Sequence, residues 1–290
     1  MVSATHPVPG VEGLQLVPMD QVPDDDVISV FNSGFSDYYH AVGMDLMTFH
    51  EYLSTNDIDR AQSLVAYVDH QPVGFTFTGI RGDQGWVGGL AVDPRHRRHH
   101  VGWTLLQEQL DILQRAGVVR VTLECIERNT AALNLYDKAG FHRLRKVYYL
   151  QQDRPRIKLL PAEVEFLEVE AADVVPHRTK PQTWSKQVRS MLQTPDHKAV
   201  LAHCEGKLVG HAVYFANDTL LYVFDIDSRS YSDHLLNHLI DKTRPERVTA
   251  ANIFDKRLLG TFASNGFLIT LTLWEMEWTP QGRRRWGLFG

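Results

Sequence analysis

Apolar positions in the first half of the chain recur with two periods, and the two alternate. Residues 64–68 and 73–80 are apolar runs separated by Asp69-His70-Gln71-Pro72, which reads as a hairpin connection. Residues 86–92 form a third strand-like run, interrupted by Gly88 and Gly89, where a bulge is expected. Val101, Leu105, Leu106, Leu110 and Leu113 then keep a helical spacing that Gly117 stops. Residues 118–126 alternate as a strand. Asn129 opens a helix carrying Ala132, Leu135, Tyr136 and Ala139, closed by Gly140, and residues 141–150 supply a last strand. Ahead of this core, residues 27–35 and 46–53 predict two short helices, joined by the aromatic-rich Asp37-Tyr38-Tyr39-His40.

The second half repeats the first. Val200-Leu201-Ala202 and the hairpin before Gly210 echo Leu64-Val65-Ala66 and the hairpin before Gly74. Phe224-Asp225-Ile226-Asp227 echoes Leu90-Ala91-Val92-Asp93, and Phe262-Ala263-Ser264-Asn265-Gly266-Phe267 echoes Tyr136-Asp137-Lys138-Ala139-Gly140-Phe141. Between the halves, residues 151–156 are polar, contain Pro155 and lack periodicity, as a boundary would. The expectation is a tandem duplication: a first domain over 1–152, a second over 158–280, and a basic tail over 281–290.

Composition narrows the picture. At 290 residues the chain suits two cores better than one. A net charge of −5 speaks against a nucleic-acid-binding protein, and the Arg283, Arg284, Arg285 run reads as a solvated tail. No apolar run approaches the ~20 residues of a membrane span, and no secretory pattern opens the chain. Cys125 and Cys204 sit in strand-like runs, so buried free thiols in a reducing cytoplasm are expected. The 14 histidines show no ligand spacing, so no metal is expected. A monomer or homodimer is the expected state.

Chemistry concentrates in one stretch. In Val92-Asp93-Pro94-Arg95-His96-Arg97-Arg98-His99-His100-Val101-Gly102 a strand ends and a helix begins within a basic loop. A helix N-terminus offers unpaired N–H groups and a positive dipole, so it receives phosphate well. This stretch, with Asn129-x-x-Ala132-x-x-x-Tyr136-x-x-x-Gly140-Phe141 after it, resembles the GNAT acetyltransferase superfamily, over residues 60–150. Arg97 and Gly102 match the family's arginine-x-x-glycine-x-glycine pattern, whereas His100 stands where its first glycine belongs.

The resemblance implies an α/β (α+β) fold, a mixed, splayed central sheet flanked by helices, in two tandem copies. It implies that acetyl-CoA lies in the splay, its pantetheine arm beside Leu90, Ala91 and Val92. The pyrophosphate would meet Arg97, Arg98, His99, His100, Val101, Gly102 and Trp103. Asn129, Ala132 and Tyr136 would meet the cofactor from the second helix. Acyl transfer to an amine needs a base, an oxyanion donor and an acid for the departing thiolate. The expected base is Glu124, acting through water, the oxyanion donor is the Val92 amide, and Tyr136 is the acid. On the acceptor side stand Phe35, Asp37, Tyr38, Tyr39, His40 and His50, with Asp37 expected to hold an ammonium. The second copy puts Phe262, Asp255 and Leu236 where the first has Tyr136, Asn129 and Gly102, and its loop is Ser228-Arg229-Ser230-Tyr231-Ser232-Asp233. It is expected to keep the fold without the chemistry, as a structural partner or to complete the acceptor site. The function so read is acetyl-CoA-dependent N-acetylation of a primary amine, small or peptidic. The alternatives are a CoA-binding regulatory protein disabled by His100 and, more remotely, a nucleotide-binding module.

Overall fold

Amphipathic periods set the elements of the first half in the computed structural model, which describes residues 13–39, 42–155, 160, 163–177, 182–194, 196–215, 220–226 and 229–280. The chain divides into two compact units. The first comprises the described residues up to Glu124 with Asn129–Arg143 and those from Met276 on; the second comprises Cys125–Arg128 and Leu144–Glu275.

In the first unit, β1 (Gln15–Pro18) precedes α1 (Asp24–Gly34) and α2 (Leu46–Thr55). The strands β2 (Leu64–Val68), β3 (Gln71–Arg81) and β4 (Gln84–Val92) follow, then α3 (Val101–Arg115), β5 (Arg120–Ile126) and α4 (Thr130–Lys138). Strands β1 to β4 pair antiparallel in chain order, and β5 runs parallel to β4. Both faces of the sheet are covered, which is why β2–β4 read as nearly continuous apolar runs. On one face Leu64, Ala66, Val73 and Val92 pack with Val101 and Leu105 of α3. On the other, Phe31 of α1 stacks near Phe75 and Phe77. Each such valine, leucine or phenylalanine side chain, fully buried, contributes about 1.5–3 kcal/mol. Helix α1 starts three residues earlier than its apolar period predicts, because Asp24, Asp25 and Asp26 suit the positive end of its dipole.

The register between β4 and β5 runs only through Gln84↔Arg120, Gly85↔Val121 and Trp86↔Thr122. Beyond Trp86 the two strands part. The expected bulge lies at the same place: Phe77 faces Gly89 and Thr78 faces Val87, leaving Gly88 as the extra residue. Glycine is required there, since a Cβ on residue 88 would come within 2.5 Å of Cζ3 of Trp86.

The second unit takes β6 (His142–Asp153) from Leu144 on, then β7 (Glu165–Val169), α5 (Ala171–Val174), α6 (Val188–Gln193), β8 (His197–Cys204) and β9 (Lys207–Phe215). It continues with β10 (Leu220–Ile226), α7 (Arg229–Thr243), β11 (Arg247–Ile253), α8 (Lys256–Ser264) and β12 (Leu268–Trp278), the last as far as Glu275. The repeat holds in detail. The β8–β9 hairpin shifts register between Ala202 and His203, as β2–β3 does between Ala66 and Tyr67. A Cβ on Gly210 would meet the carbonyl of Asp225 at 3.0 Å, just as one on Gly74 would meet that of Ala91 at 3.1 Å. Strand β10 pairs parallel with β11 only at Leu220↔Thr249 and Leu221↔Ala250 before parting.

Two features depart from the sequence reading. Gln151, Gln152 and Asp153 are strand, not linker, because a backbone ladder to Thr249, Val248 and Arg247 of β11 needs no apolar side chain. Strand β12 also crosses from one unit to the other along its length, so Met276, Glu277 and Trp278 belong to the first unit. There Glu277 bonds Arg120 and lies 3.4 Å from His142, and Trp278 packs beside Gly140. Neither Cys125 nor Cys204 is in a disulfide, but only Cys125 is buried; Cys204, at the end of β8, is half-buried. The basic tail with Arg283, Arg284 and Arg285 lies outside the described residues.

Candidate active site

Strand β4 carries the first part of the site. Asp93 donates its N–H to the Val73 carbonyl at 2.8 Å, so Ala91 and Asp93 turn their backbone groups toward β3. By the same alternation Leu90 and Val92 turn theirs toward the edge that β5 has left. An opened strand edge is a row of donors and acceptors, and here the Val92 carbonyl already accepts from Arg97 Nε at 3.0 Å.

The loop after β4 is built around a buried carboxylate. Asp93, 4% exposed, accepts from the Arg95 amide at 2.9 Å and from the Arg95 guanidinium through two contacts of 3.0 Å. These bonds hold its carboxyl well below the usual carboxylate range and raise Arg95 in turn. The chain makes a single 3₁₀ turn over Pro94–His96 and enters α3 through two left-handed residues, Arg98 at φ 64° and His100 at φ 61°. His100 is therefore in the conformation that glycine adopts most easily, and its imidazole is exposed. No side chain caps α3, so its first-turn amides at Val101, Gly102 and Trp103 open outward. A Cβ on Gly102 would find only ordinary contacts, the nearest 3.5 Å away on Val92.

Helix α4 stands across from α3. Asn129 caps it by accepting from the Ala132 amide at 3.2 Å, and Lys138 places Nζ 4.2 Å over the Trp103 ring. Together β4, the loop, α3 and α4 wall an open cleft of about 1160 Å³. Leu90, Ala91, Val92, Arg97, Arg98, His99, His100, Val101, Gly102, Trp103, Asn129 and Ala132 all line it. So do Phe35, Tyr38 and Tyr39, from the segment after α1, where Phe35–Tyr38 and Tyr38–Tyr39 stack edge-on at 4.9 and 5.4 Å.

A family model described as the acetyltransferase (GNAT) family matches residues 26–141, the stretch that contains this cleft. Residues 26–141 belong to the GNAT family. The GNAT segment is 33% identical over 96 residues to the [ribosomal protein bS18]-alanine N-acetyltransferase of Salmonella typhimurium, covering 32% of this chain and 65% of that protein. It is 35% identical over 80 residues to N-alpha-acetyltransferase 30 of Saccharomyces cerevisiae, covering 27% of this chain and 46% of that one. The chain thus spans about half to two thirds of the length of these relatives. A solved tandem GNAT protein from the clavulanic acid biosynthesis pathway superposes with a TM-score of 0.67 at 14% identity, over 92% of this chain and 98% of its own. At that identity the likeness concerns the fold.

Within the GNAT domain the two expected catalytic side chains stand off the cleft wall. Tyr136 is 7% exposed and packs edge-on against Phe141 at 5.7 Å, one turn along α4 from the lining residue Ala132. Glu124 accepts from the Trp86 indole N–H at 2.8 Å, beside the splay. His50 pairs with Asp24 at 3.0 Å and is not on the wall, and His40 lies outside the described residues. Asp37 is on the wall, but its carboxylate is engaged by Arg97 at 2.7 and 2.8 Å, which also lowers its pKa. Its partner in the structure is thus Arg97. Sequence reasoning missed Gly34, Pro94, Arg95, Ala131, Leu135 and Lys138 on the wall. For the α4 residues a signal existed, since 131, 135 and 138 share a helical face with Ala132. Among the described residues, no helix is long and apolar enough to cross a membrane.

Proposed function

We propose that the first unit binds acetyl-CoA in this cleft and transfers its acetyl group to a primary amine. The observation that carries the reading is the opened edge of β4 lying beside the uncapped N-terminus of α3. An extended pantetheine arm, with its two amides, is the right partner for Leu90 and Val92, by strand addition. The α3 amides, Arg98 and the left-handed turn at His100 would take the pyrophosphate. His100 already holds the left-handed backbone that a glycine would adopt, so the turn into α3 is kept without glycine, and the release assay below separates turnover from the alternative of a CoA-binding protein without it.

In the reaction the amine nitrogen attacks the thioester carbon, the Val92 N–H stabilises the oxyanion, and collapse breaks the C–S bond. Glu124 takes the ammonium proton through water, and Tyr136 gives its proton to the CoA thiolate. A preorganised donor at the oxyanion is worth about 3–4 kcal/mol. The acceptor we favour is the α-amine of a peptide, since two relatives bear the names of an alanine N-acetyltransferase and an N-alpha-acetyltransferase, and the cleft has an aromatic flank. The second unit has Phe262 in place of Tyr136, fully buried against Phe224 and Phe267, and no proton to give. It serves as a structural partner; Ser228 of its loop lies outside the described residues.

Release of free CoA from acetyl-CoA across a panel of peptides and small amines tests the reading. Tyr136→Phe should lower turnover by about 10²-fold or more, within the range of general acid catalysis, and leave acetyl-CoA affinity nearly unchanged. Equal turnover would remove Tyr136 as the acid, and no release with any amine would sink the enzymatic reading.

A further inference from the structure

The family pattern points Arg97 at the pyrophosphate, yet the side chain is committed elsewhere. Its Nε donates to the Val92 carbonyl at 3.0 Å, and Nη2 donates to the Gly34 carbonyl at 2.9 Å. Its Nη1 and Nη2 grip the two oxygens of Asp37 at 2.7 and 2.8 Å. Four of the five guanidinium donors are thereby used, in the bidentate geometry that arginine makes and lysine does not. The partners lie sixty or more residues away in sequence for Asp37 and Gly34, and five away for Val92. Gly34 also lets α1 come close to β4: a Cβ there would come within 2.8 Å of that of Ala91.

We propose that Arg97 is a positioning residue that locks the segment Gly34–Tyr39 onto the end of β4, and is not a phosphate ligand. The proposal rests on the acetyl-transfer reading for its functional meaning. In that reading Val92 supplies the oxyanion amide and Tyr38 and Tyr39 flank the acceptor. Arg97 then fixes the spacing between the oxyanion donor and the acceptor wall, by holding the peptide that follows Val92 and the segment that carries the tyrosines. One N–H, on Nη1, is left for a phosphate, so Arg97 can offer it no bidentate contact without releasing Asp37. Arg98, next in the chain, is exposed and lines the cleft, and is the better placed cation for that charge.

The test compares the full chain with Arg97→Ala, Asp37→Ala and the double variant. The amides of Phe35 and Ser36 donate to the Phe31 and Ser33 carbonyls at the end of α1, and that of Tyr38 donates to the Phe35 carbonyl, so their hydrogen exchange reports on the lock. Each single variant should speed exchange there at least fivefold, and the double variant should be no faster than the faster single one. Titration with acetyl-CoA should give affinities within threefold of wild type for all. With an alanine-initiated peptide as acceptor, its KM should rise about tenfold while the KM for acetyl-CoA stays put. A tenfold or larger loss of acetyl-CoA affinity in Arg97→Ala, or unchanged exchange at those amides in either single variant, would overturn the assignment. Failure of wild type to bind acetyl-CoA would instead strike the functional reading, with the exchange comparison still deciding the lock.

Discussion

Replacing His100 is the sharpest probe of how this chain departs from its family's glycine pattern. The residue sits at φ 61°, ψ 1°, with an exposed side chain that makes no capping bond. A left-handed backbone costs an ordinary L-residue about 1–2 kcal/mol, somewhat less for histidine, which visits this region more often. Glycine removes that strain but gives back about 0.5–1 kcal/mol of unfolded-state entropy. His100→Gly should therefore be neutral or stabilising by up to about 1 kcal/mol, a rise of at most about 4 °C in the first unit's melting midpoint. A β-branched residue fits this region worst, so His100→Val should lose about 1–2 kcal/mol relative to histidine. Thermal melts of the three proteins, with acetyl-CoA titrations alongside, give both axes. If glycine costs more than about 1 kcal/mol, or valine costs nothing, the left-handed turn is not there. If glycine weakens acetyl-CoA binding tenfold, the imidazole itself contacts the ligand, and the backbone argument for position 100 fails.

Other outcomes follow from single features. Gly88→Ala drives a methyl into Trp86 and pulls its indole from Glu124, so urea unfolding should show a loss of about 2–4 kcal/mol; a loss below about 1 would mean the bulge yields freely. Asp93→Ala should cost about 1–2 kcal/mol as a lost cap. Because the folded-state pKa of Asp93 is depressed, its contribution is present above the unfolded value and lost as pH falls. The stability gap between wild type and Asp93→Ala should thus stay constant from about pH 7 to 5 and shrink below about 4. A fragment ending at Gln152 lacks Met276, Glu277 and the buried Trp278, and should melt about 10 °C lower than the first unit in the full chain, from the loss of about 3 kcal/mol.

Local pattern made much of this fold readable. The periods of Val101 to Leu113 and of residues 64–68 placed α3 and β2 with the correct starts, because each element buries its apolar face against the same sheet. A bulge at Gly88 or Gly89 was readable because glycine inside a strand often marks one, but only the register to β3 shows that Gly88 is the extra residue. The echo of Tyr136–Phe141 in Phe262–Phe267 was readable because both carry the same helix stop, Gly140 at φ 92° and Gly266 at φ 83°. What stayed hidden was every relation between distant residues that periodicity cannot encode. Arg97 and Asp37 are sixty positions apart, Trp86 and Glu124 thirty-eight, and neither pair leaves a local mark. The transfer of Trp278 to the first unit is likewise a matter of which edge a strand meets. In the candidate site, the cleft-lining loop and helix starts were legible as motifs. The commitment of Arg97, by contrast, depends on a carboxylate brought in by α1.

The most direct test of the account is an isothermal titration of the full chain with acetyl-CoA. Among the described residues the opened edge of β4 and the uncapped α3 flank a basic loop in the first unit, whereas in sequence the second copy's loop has one arginine and an aspartate, so one molecule should bind per chain, with saturation. Two equivalent sites would contradict the division of labour between the units, and no binding up to millimolar concentration would contradict the function itself.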